Sequence, residues 1–260
     1  RKLVPYMNHR VTDRSRRVAA LFSELNLPVL KGLELNAAVR WDKYEGVGNA
    51  TTPKASVRWQ PVPQVVLRAA VGKGFRAPSL QDLYLPQTIG VTTPGLSDPL
   101  RCPTTGARTD CSTQFAILNG GNPALTPEKS VNKTLGVVLS PLPQLTVALD
   151  AFRIDLEDTI NNGITPPTIL GDLTRYGGLV TRGPVDPALP NLPGPIVSIS
   201  QTNINLGEVK VAGVDVDIKY NTPLAGGRLT ASLAGTYFSK YDVQNPDGTF
   251  DAQIDEANTA

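Results

Sequence analysis

The sequence is poor in charged and aromatic residues and has no long apolar run. Of its 260 residues, 18% are charged and 6% are aromatic. No stretch of about eighteen consecutive apolar residues occurs, which excludes a transmembrane helix. The formal net charge of +2 and the lack of a basic reading motif give no indication of a nucleic-acid partner. The N-terminus has neither a hydrophobic signal core nor an initiator methionine, so we expect that it is not a natural start.

Catalytic motifs are missing as well. There is no G-x-S-x-G elbow, no H-E-x-x-H motif, no P-loop and no dinucleotide-binding glycine motif. The single histidine, His9, has no recognisable carboxylate partners for a metal site or a catalytic triad. We therefore expect a protein that is not an enzyme and that uses neither a metal site nor a cofactor.

Alternation of apolar and polar residues is the dominant pattern that is present. A period of two indicates β-strands, and the 23 glycines and 23 prolines favour many short elements joined by turns. We predict an all-β, antiparallel up-and-down meander of about eight strands in four hairpins, each about 11–14 residues long. The clearest alternating segments are Leu33–Trp41, Ala55–Trp59, Val65–Val71, Leu135–Leu139, Val214–Tyr220 and Leu229–Tyr237.

One segment changes the phase of its alternation. Leu145, Val147 and Leu149 share one parity, whereas Phe152, Ile154 and Leu156 share the other. A β-bulge near Asp150 would re-phase the strand. Passage of the strand out of a membrane zone would equally remove the need for one apolar face, and both interpretations stay open.

The connections between strands alternate between short and long. Four short, proline-led connections have the composition of hairpin turns; they are Pro28–Gly32, Pro61–Gln64, Pro141–Gln144 and Pro223–Gly227. Two long connections run from Arg76 to Pro127 and from Asn161 to Gly207. Loops this long are commonly functional or disordered. Short turns at one end and long loops at the other are typical of outer-membrane barrels.

The two cysteines and a basic run are the remaining local features. Cys102 and Cys111 lie in a stretch rich in turn residues, too far apart for a C-x-x-C motif. A disulfide that clips a loop outside the cytoplasm fits best, worth about 2–3 kcal/mol in the chain-entropy model. The basic run is either a solvated loop end or a contact with lipopolysaccharide phosphates or an anionic ligand; it comprises Arg10, Arg14, Arg16 and Arg17.

Two motifs identify a family. The first ends an alternating strand within Val71–Tyr84, and the second, Gly121–Ser130, opens another strand about fifty residues later. In this order and across a long loop they resemble the paired signatures of TonB-dependent outer-membrane receptors. The residues that carry the resemblance are Gly74, Phe75, Arg76, Pro78, Leu83, Tyr84, Asn122, Pro123, Leu125, Pro127 and Glu128. Arg76 is expected to pair either with a carboxylate in the barrel lumen or with a ligand, and the structural ion pair is favoured; Glu128 is expected to belong to the polar start of the second strand.

The resemblance implies that residues 1–260 are part of a barrel of about 22 strands whose plug domain and remaining strands are absent from this sequence. It implies a Gram-negative outer-membrane location and uptake of a scarce nutrient, siderophore-bound iron or similar, driven through TonB and the missing plug. Implied partners are outer-membrane lipid, lipopolysaccharide and the small-molecule nutrient. Ligand contacts are expected in the long loops; the candidates are Arg101, Arg108, Arg175, Tyr176 and Arg182.

Two alternatives remain from the sequence alone. A soluble antiparallel β-sandwich, acting as an adhesion or carbohydrate-binding module, is permitted by the turn spacing. A passive porin shares the barrel fold, although the two motifs argue against it. The direction of the apolar stripe separates the first alternative from a barrel, because a sandwich buries the stripe between its sheets and a barrel shows it to lipid.

Overall fold

The structure is a computed structural model, and it describes residues 14–254. The chain divides into two compact units. The sheet unit comprises Val18–Ala77, Thr126–Thr159 and the chain from Asn205 onward. The connection unit comprises Pro78–Leu125 and Ile160–Ile204, preceded by the segment that ends at Arg17. The two long connections predicted from the sequence therefore form a folded unit of their own.

The elements follow one another along the chain as fifteen strands and four short α-helices within the described residues. They are β1 (Val18–Leu30), β2 (Leu33–Tyr44), β3 (Gly48–Val62), β4 (Val65–Arg76), α1 (Leu80–Tyr84), β5 (Thr88–Val91), α2 (Cys102–Thr105), β6 (Ala116–Gly120), β7 (Glu128–Leu142), β8 (Leu145–Glu157), β9 (Ile160–Asn161), α3 (Pro166–Gly171), α4 (Leu173–Tyr176), β10 (Val180–Arg182), β11 (Ile196–Thr202), β12 (Ile204–Asn205), β13 (Val209–Leu224), β14 (Gly227–Gln244) and β15 (Phe250–Ala252), with a 3-10 turn at Gly177–Leu179.

The sheet unit is a nine-stranded antiparallel meander in the order β1-β2-β3-β4-β7-β8-β13-β14-β15. Eight of these strands are 12 to 18 residues long, and the ninth, β15, has 3. The predicted eight-stranded meander is confirmed. The four short connections are hairpin turns, and Gly32 in the first has a φ of 80°, which a residue with a side chain adopts only under strain.

One face of this sheet is apolar and exposed. A continuous cross-strand row joins seven apolar residues from β2 to β14: Leu35, Val57, Ala69, Leu135, Ala151, Val214 and Tyr237. Leu135 is 66% exposed and Tyr237 is 70% exposed. Within residues 14–254, every buried large apolar side chain lies in the connection unit. The stripe is not buried against a second sheet, so the β-sandwich alternative is wrong.

The opposite face of the sheet is polar. Arg68 there donates two hydrogen bonds to Asp150, and Arg40 pairs with the buried Asp42. Gly136 lies between Arg68 and Asp150 in the register, and a Cβ at this glycine would overlap the carboxylate of Asp150. The sequence alternation thus separates an apolar surface from a face built of ion pairs, as in a barrel with a polar interior.

The phase change in β8 is not caused by a bulge. Residues 145–156 pair with β13 without a register shift, and the shift in β13 lies against β14, between Ala212 and Gly213. Arg153 and Asp155 continue the face of Leu149 and form an ion pair of 3.0 Å. The predicted bulge near Asp150 is therefore wrong. The apolar band ends after Ala151 because the same face becomes charged, as expected for a strand leaving a membrane zone.

The connection unit has its own small sheet and core. The sheet order is β10-β11-β6-β5, and β11 pairs with β6 in parallel. This parallel pair departs from the antiparallel prediction, and it arises because the two strands come from different connections. The core consists of Leu83, Phe115, Leu125, Ile164, Ile169, Leu170, Tyr176 and Ile199. None of the helices in residues 14–254 is both long and apolar enough to cross a membrane.

Candidate functional site

The connection unit is the candidate site, because it is the part of the chain where two long segments fold together. Ile199 of β11 lies opposite Ile117 of β6 in the parallel pair and is fully buried. Gly194 approaches the backbone of Gly183 so closely that an added Cβ would lie 1.9 Å from the Gly183 carbonyl oxygen. The parallel strand pair joins the two connections, and the close approach of Gly194 to Gly183 holds the second connection folded on itself.

Arg182 and Asp98 form a buried ion pair in this unit. Arg182 donates from Nη1 to Asp98 Oδ2 at 2.6 Å and from Nη2 to Oδ1 at 3.0 Å. Its Nη1 also donates to the Gly194 carbonyl at 2.9 Å. Asp98 is 0% exposed and the Arg182 side chain 18% exposed. The pair joins the second connection to the first, which is a structural role that the sequence prediction of Arg182 as a ligand contact did not include.

The pKa of Asp98 is lower than the ordinary value for an aspartate. Burial alone would raise the pKa of this carboxyl, but the hydrogen bonds from Arg182 and from the backbone N–H of Leu100, together with the positive charge of Arg182, outweigh it. Asp98 is therefore ionised when the unit is folded, and the ion pair depends on this charge.

Arg101 holds a second buried link. Its Nε donates to Asp110 at 3.1 Å and its Nη1 to the Pro193 carbonyl at 2.7 Å. Both Arg101 and Asp110 are buried. The adjacent cysteines, Cys102 and Cys111, are disulfide-bonded with a Cα–Cα distance of 5.1 Å, which confirms the predicted pairing. The disulfide thus closes the same short segment that the Arg101–Asp110 pair fixes.

The other predicted ligand residues differ in exposure. Arg108 and Arg175 are exposed, and neither guanidinium forms a hydrogen bond or ion pair within residues 14–254. The guanidinium carbon of Arg175 lies over the ring of Tyr176, 5.3 Å from the ring centre. Tyr176 itself is 6% exposed and belongs to the core. Among the five predicted ligand residues, Arg108 and Arg175 are therefore the two whose charged groups remain open to a ligand.

The motif residues at the strand ends join β4 to β7. Arg76 lies opposite Glu128 and donates two hydrogen bonds to it, at 2.6 and 2.5 Å. Gly74 lies opposite Ser130, and a Cβ at Gly74 would lie 2.6 Å from the Ser130 hydroxyl. Both expectations, a structural ion pair for Arg76 and a strand start at Glu128, are confirmed. Phe75 contacts Tyr44 edge to face, and Pro127 directly precedes β7.

The motif residues of the connection unit build its first turn. Ser79 caps α1 in a reciprocal capping box with Asp82, following the buried Pro78. Leu83 is 2% exposed and Leu125 is 5% exposed, so both are core residues. Tyr84 is half-buried and Pro123 is exposed. These roles explain the spacing of the motif by packing and not by ligand chemistry.

Asparagine side chains complete this turn. The backbone N–H of Asn122 donates to the Asp82 carbonyl, and the side-chain Nδ2 of Asn122 donates to the Asn203 carbonyl at 2.9 Å. Asn203 donates back to the Asp82 carbonyl at 3.2 Å. Sequence reasoning found Asn122 through the motif but missed Asn203. The sequence feature that could have indicated Asn203 is its spacing from Asn205. Short polar side chains that replace backbone hydrogen bonds are typical of irregular connections.

The basic run is only partly described. Arg14 lies with its guanidinium carbon 5.0 Å from the ring centre of Tyr84, and Arg16 donates to the Pro78 carbonyl at 2.6 Å. Arg17 also has an interaction partner. Arg10 and the single histidine, His9, lie outside the described residues. Within residues 14–254 no group of three or more His, Cys, Asp or Glu side chains could hold a metal ion.

Comparison with known proteins gives a family match over almost the whole chain. The family model described as "TonB dependent receptor-like, beta-barrel" matches residues 4–259. The ferric enterobactin receptor of Pseudomonas aeruginosa is 30% identical over 161 residues, which is 61% of this chain and 19% of that protein. The vitamin B12 transporter of Vibrio vulnificus is 24% identical over 62% of this chain and 20% of that protein.

A solved structure agrees in fold. A mutant of the ferric enterobactin receptor of Pseudomonas aeruginosa, in complex with enterobactin, superimposes with a TM-score of 0.62 at 23% identity, over 91% of this chain and 29% of that one. The chain thus spans about a fifth of the length of the curated relatives, 19% and 20%.

Proposed function

The chain belongs to the TonB-dependent receptor-like β-barrel family, and on this premise we propose that it is part of an active transporter for a scarce nutrient. Proteins of this family lie in the outer membrane of Gram-negative bacteria, and so does this one. The nutrient we propose is siderophore-bound iron or a similar complex. Uptake would draw energy from TonB through a plug domain, and residues 1–260 would supply barrel strands and two ligand-facing connections.

The observation that carries this proposal is the pairing of an exposed apolar strand face with two long connections that fold as one unit. An apolar band on the outer face and polar groups on the other are what a membrane barrel requires. These two connections are longer than is needed to join one strand to the next, and long ordered loops commonly carry the residues that bind a ligand. A passive porin would leave the presence of the two receptor motifs unexplained.

The proposed chemistry is recognition, without catalysis. The family consists of receptors and transporters. We assign ligand contact first to Arg108 and Arg175, whose guanidinium groups are exposed. A guanidinium offers charge-assisted hydrogen bonds to an anionic group and stacking on an aromatic one. Arg101 and Arg182 would act indirectly, by holding the connections in place through Asp110 and Asp98.

The test uses the full-length receptor that contains this chain, expressed in a strain without its own siderophore receptors. Uptake of radiolabelled iron bound to enterobactin is measured with and without TonB, and labelled cobalamin is the comparison nutrient. TonB-dependent iron uptake is expected. Deleting part of either long connection should weaken ligand affinity while the barrel still assembles.

Single variants sharpen the assignment. Arg108→Ala and Arg175→Ala are each expected to weaken ligand binding about fivefold, as the loss of one exposed charge-assisted contact would. Arg228→Ala is the matched control, because Arg228 is an exposed arginine at the start of β14, beside the short turn between β13 and β14 and outside both long connections. If exchanging both connections for those of a receptor with another ligand leaves ligand choice unchanged, the contacts lie elsewhere in the protein. TonB-dependent cobalamin uptake without iron uptake would overturn the siderophore assignment.

A further inference from the structure

The strand β5 forms one edge of the small sheet in the connection unit. The strand order is β10-β11-β6-β5, and β5 pairs with β6 alone in the part of the chain that the structure describes. Thr92, next to β5, donates its backbone N–H to the Phe115 carbonyl and so continues the register of this pair. N–H groups alternate in direction along an antiparallel strand, so Gly90 faces β6 as Thr92 does. Ile89 and Val91 then point their backbone N–H and C=O groups away from β6, at an open edge.

The same two residues also expose apolar side chains. Ile89 is 81% exposed and Val91 is 65% exposed. Residues 85–96 contain no charged side chain. Natural sheets protect an open edge with charged residues, with proline, or by keeping the edge strand short. Charge is missing here and Pro86 and Pro94 stand outside β5, so what protects this edge is its shortness.

Contacts at both ends hold β5 in its extended conformation. Before the strand, the Gly121 N–H donates to the Leu85 carbonyl at 3.0 Å, and Gln87 Nε2 donates to the Gly121 carbonyl at 3.3 Å. After the strand, Gln114 Nε2 donates to the Thr92 carbonyl at 2.7 Å. A segment that is already fixed in its bound conformation loses little entropy when a partner joins it. The open edge is therefore preorganised to accept another strand.

The size of the edge decides which kind of partner fits. β5 has 4 residues, which gives an edge about 13 Å long. A stable interface between separate proteins buries more than about 1,000 Å², and so short an edge cannot supply that area. A segment of the same molecule needs less area, because it is present at a high effective concentration. The chain spans only 19% and 20% of its curated relatives, so a receptor of that length supplies many such segments.

We propose that β5 is completed by a fifth strand, which another connection of the same receptor molecule contributes from outside residues 1–260. This segment is extended and uncharged, and its apolar side chains meet Ile89 and Val91. Its backbone bonds to the N–H and C=O groups that these two residues turn away from β6, as in other cases of strand addition. The inference rests on the chain being part of a longer receptor, as in the proposed function, and not on the identity or the uptake of the nutrient.

The first test is amide hydrogen exchange on the full-length receptor in detergent, read at single-residue resolution. At an open edge the Ile89 and Val91 amides donate to water and exchange at nearly their intrinsic rates. In a completed sheet both amides should exchange at least about tenfold more slowly than these rates. The Gly90 amide faces β6 and is the internal reference, protected in either case. Exchange of Ile89 and Val91 at their intrinsic rates would overturn the proposal.

A charge at the edge tests whether the protection comes from an apolar partner. Val91→Lys should bring the exchange of the Ile89 amide to within about twofold of its intrinsic rate, because a charge opposes strand pairing at an edge. Val197→Lys is the matched control, since it changes the same residue type at a position of β11 that is 56% exposed and away from this edge. Equal losses of Ile89 protection in both variants would contradict the proposal. Val91→Pro, which removes the outward N–H itself, is used instead if Val91→Lys also exposes the Gly90 amide.

Photocrosslinking identifies the partner of the edge. A benzophenone side chain is introduced in place of Ile89 in the full-length receptor, and the crosslinked peptides are identified by mass spectrometry. A crosslink to a segment of the same molecule outside residues 1–260 is expected. A product of twice the receptor mass would assign the edge to a second copy, and crosslinks confined to residues 1–260, or none, would equally overturn the proposal. No step needs a nutrient, so failure here and failure of the iron-uptake assay are separate results.

Discussion

Removing the charge of Asp98 tests whether buried ion pairs hold the connection unit together. In Asp98→Asn the side chain keeps its shape, but the Arg182 guanidinium loses its carboxylate partner. Breaking a buried pair by removing one partner costs about 3–5 kcal/mol because a charge is left uncompensated. Since the Arg182 side chain is 18% exposed, water reaches it in part. We therefore expect a loss at the lower end, about 3 kcal/mol, in the local stability of this unit.

Hydrogen exchange on the full-length receptor measures this loss directly. A local destabilisation of about 3 kcal/mol raises exchange through local opening roughly a hundredfold. The informative amides are those of Leu100, which donates to Asp98 Oδ1, and Cys102, which donates to the Asp98 carbonyl. Amides of β7 and β8 in the sheet unit should keep their protection, because their hydrogen bonds are in the long antiparallel ladder.

Two controls separate the burial effect from the effect of charge alone. Asp217→Asn breaks the exposed ion pair of Asp217 with Lys219, in which the lysine side chain is 57% exposed and the aspartate side chain 42% exposed. This change should lower local stability by less than about 1 kcal/mol. The double variant Asp98→Leu with Arg182→Met replaces the buried pair by apolar groups and should lose less than Asp98→Asn. An exchange increase below about fivefold in Asp98→Asn, or a double variant as unstable as the sum of the two single changes, would refute the reasoning.

Two further predictions concern the same unit. Replacing Cys102 and Cys111 by serine should weaken ligand binding more than barrel stability, because the disulfide lies in a connection and not in the ladder; ligand affinity and heat-modifiable gel mobility are the two measurements, and equal losses in both would contradict it. The Asp98 pair should also make the unit sensitive to acid: the pKa of Asp98 is lowered on folding, so its stabilisation is present above the unfolded value of about 3.9 and is lost as the pH falls through the lower folded pKa. Protection of the Leu100 amide, measured against its intrinsic exchange rate at each pH, should therefore fall as the pH drops below about 4, and Asp98→Asn should lose most of this dependence.

The strands of the sheet unit could be predicted because their information is local. In Leu33–Trp41 of β2, Val65–Val71 of β4 and Val214–Tyr220 of β13 every second residue is apolar, and a period of two assigns each side chain to one face whatever its neighbours are. The proline-led connections fix hairpin turns within a few residues, so the strand order follows the sequence. The direction of the apolar face could not be read in the same way, since Leu135 exposed to lipid and Leu135 buried in a sandwich obey the same pattern.

The connection unit could not be predicted because its stabilising contacts are distant in sequence. Asp98 and Arg182 are 84 residues apart, and nothing around either residue indicates its partner. The parallel pairing of β6 with β11 likewise depends on two segments that the sheet unit separates. Among the contacts of this unit, the disulfide between Cys102 and Cys111 could be predicted from the sequence, because both residues lie in one short turn-rich segment and the sequence contains no other cysteine.

These distant pairs change which charges are free to act on a ligand. Of the four arginines that composition singled out in the long connections, Arg101 and Arg182 are used in buried pairs, while Arg108 and Arg175 are exposed. A buried arginine that already donates to a carboxylate and a carbonyl would have to break those bonds to reach a ligand, at a cost that one ligand contact does not repay. An exposed arginine has only water to displace. Burial therefore ranks the candidates in a way that residue type alone cannot, and it predicts that changes at Arg101 or Arg182 reach the ligand only through the fold of the connections.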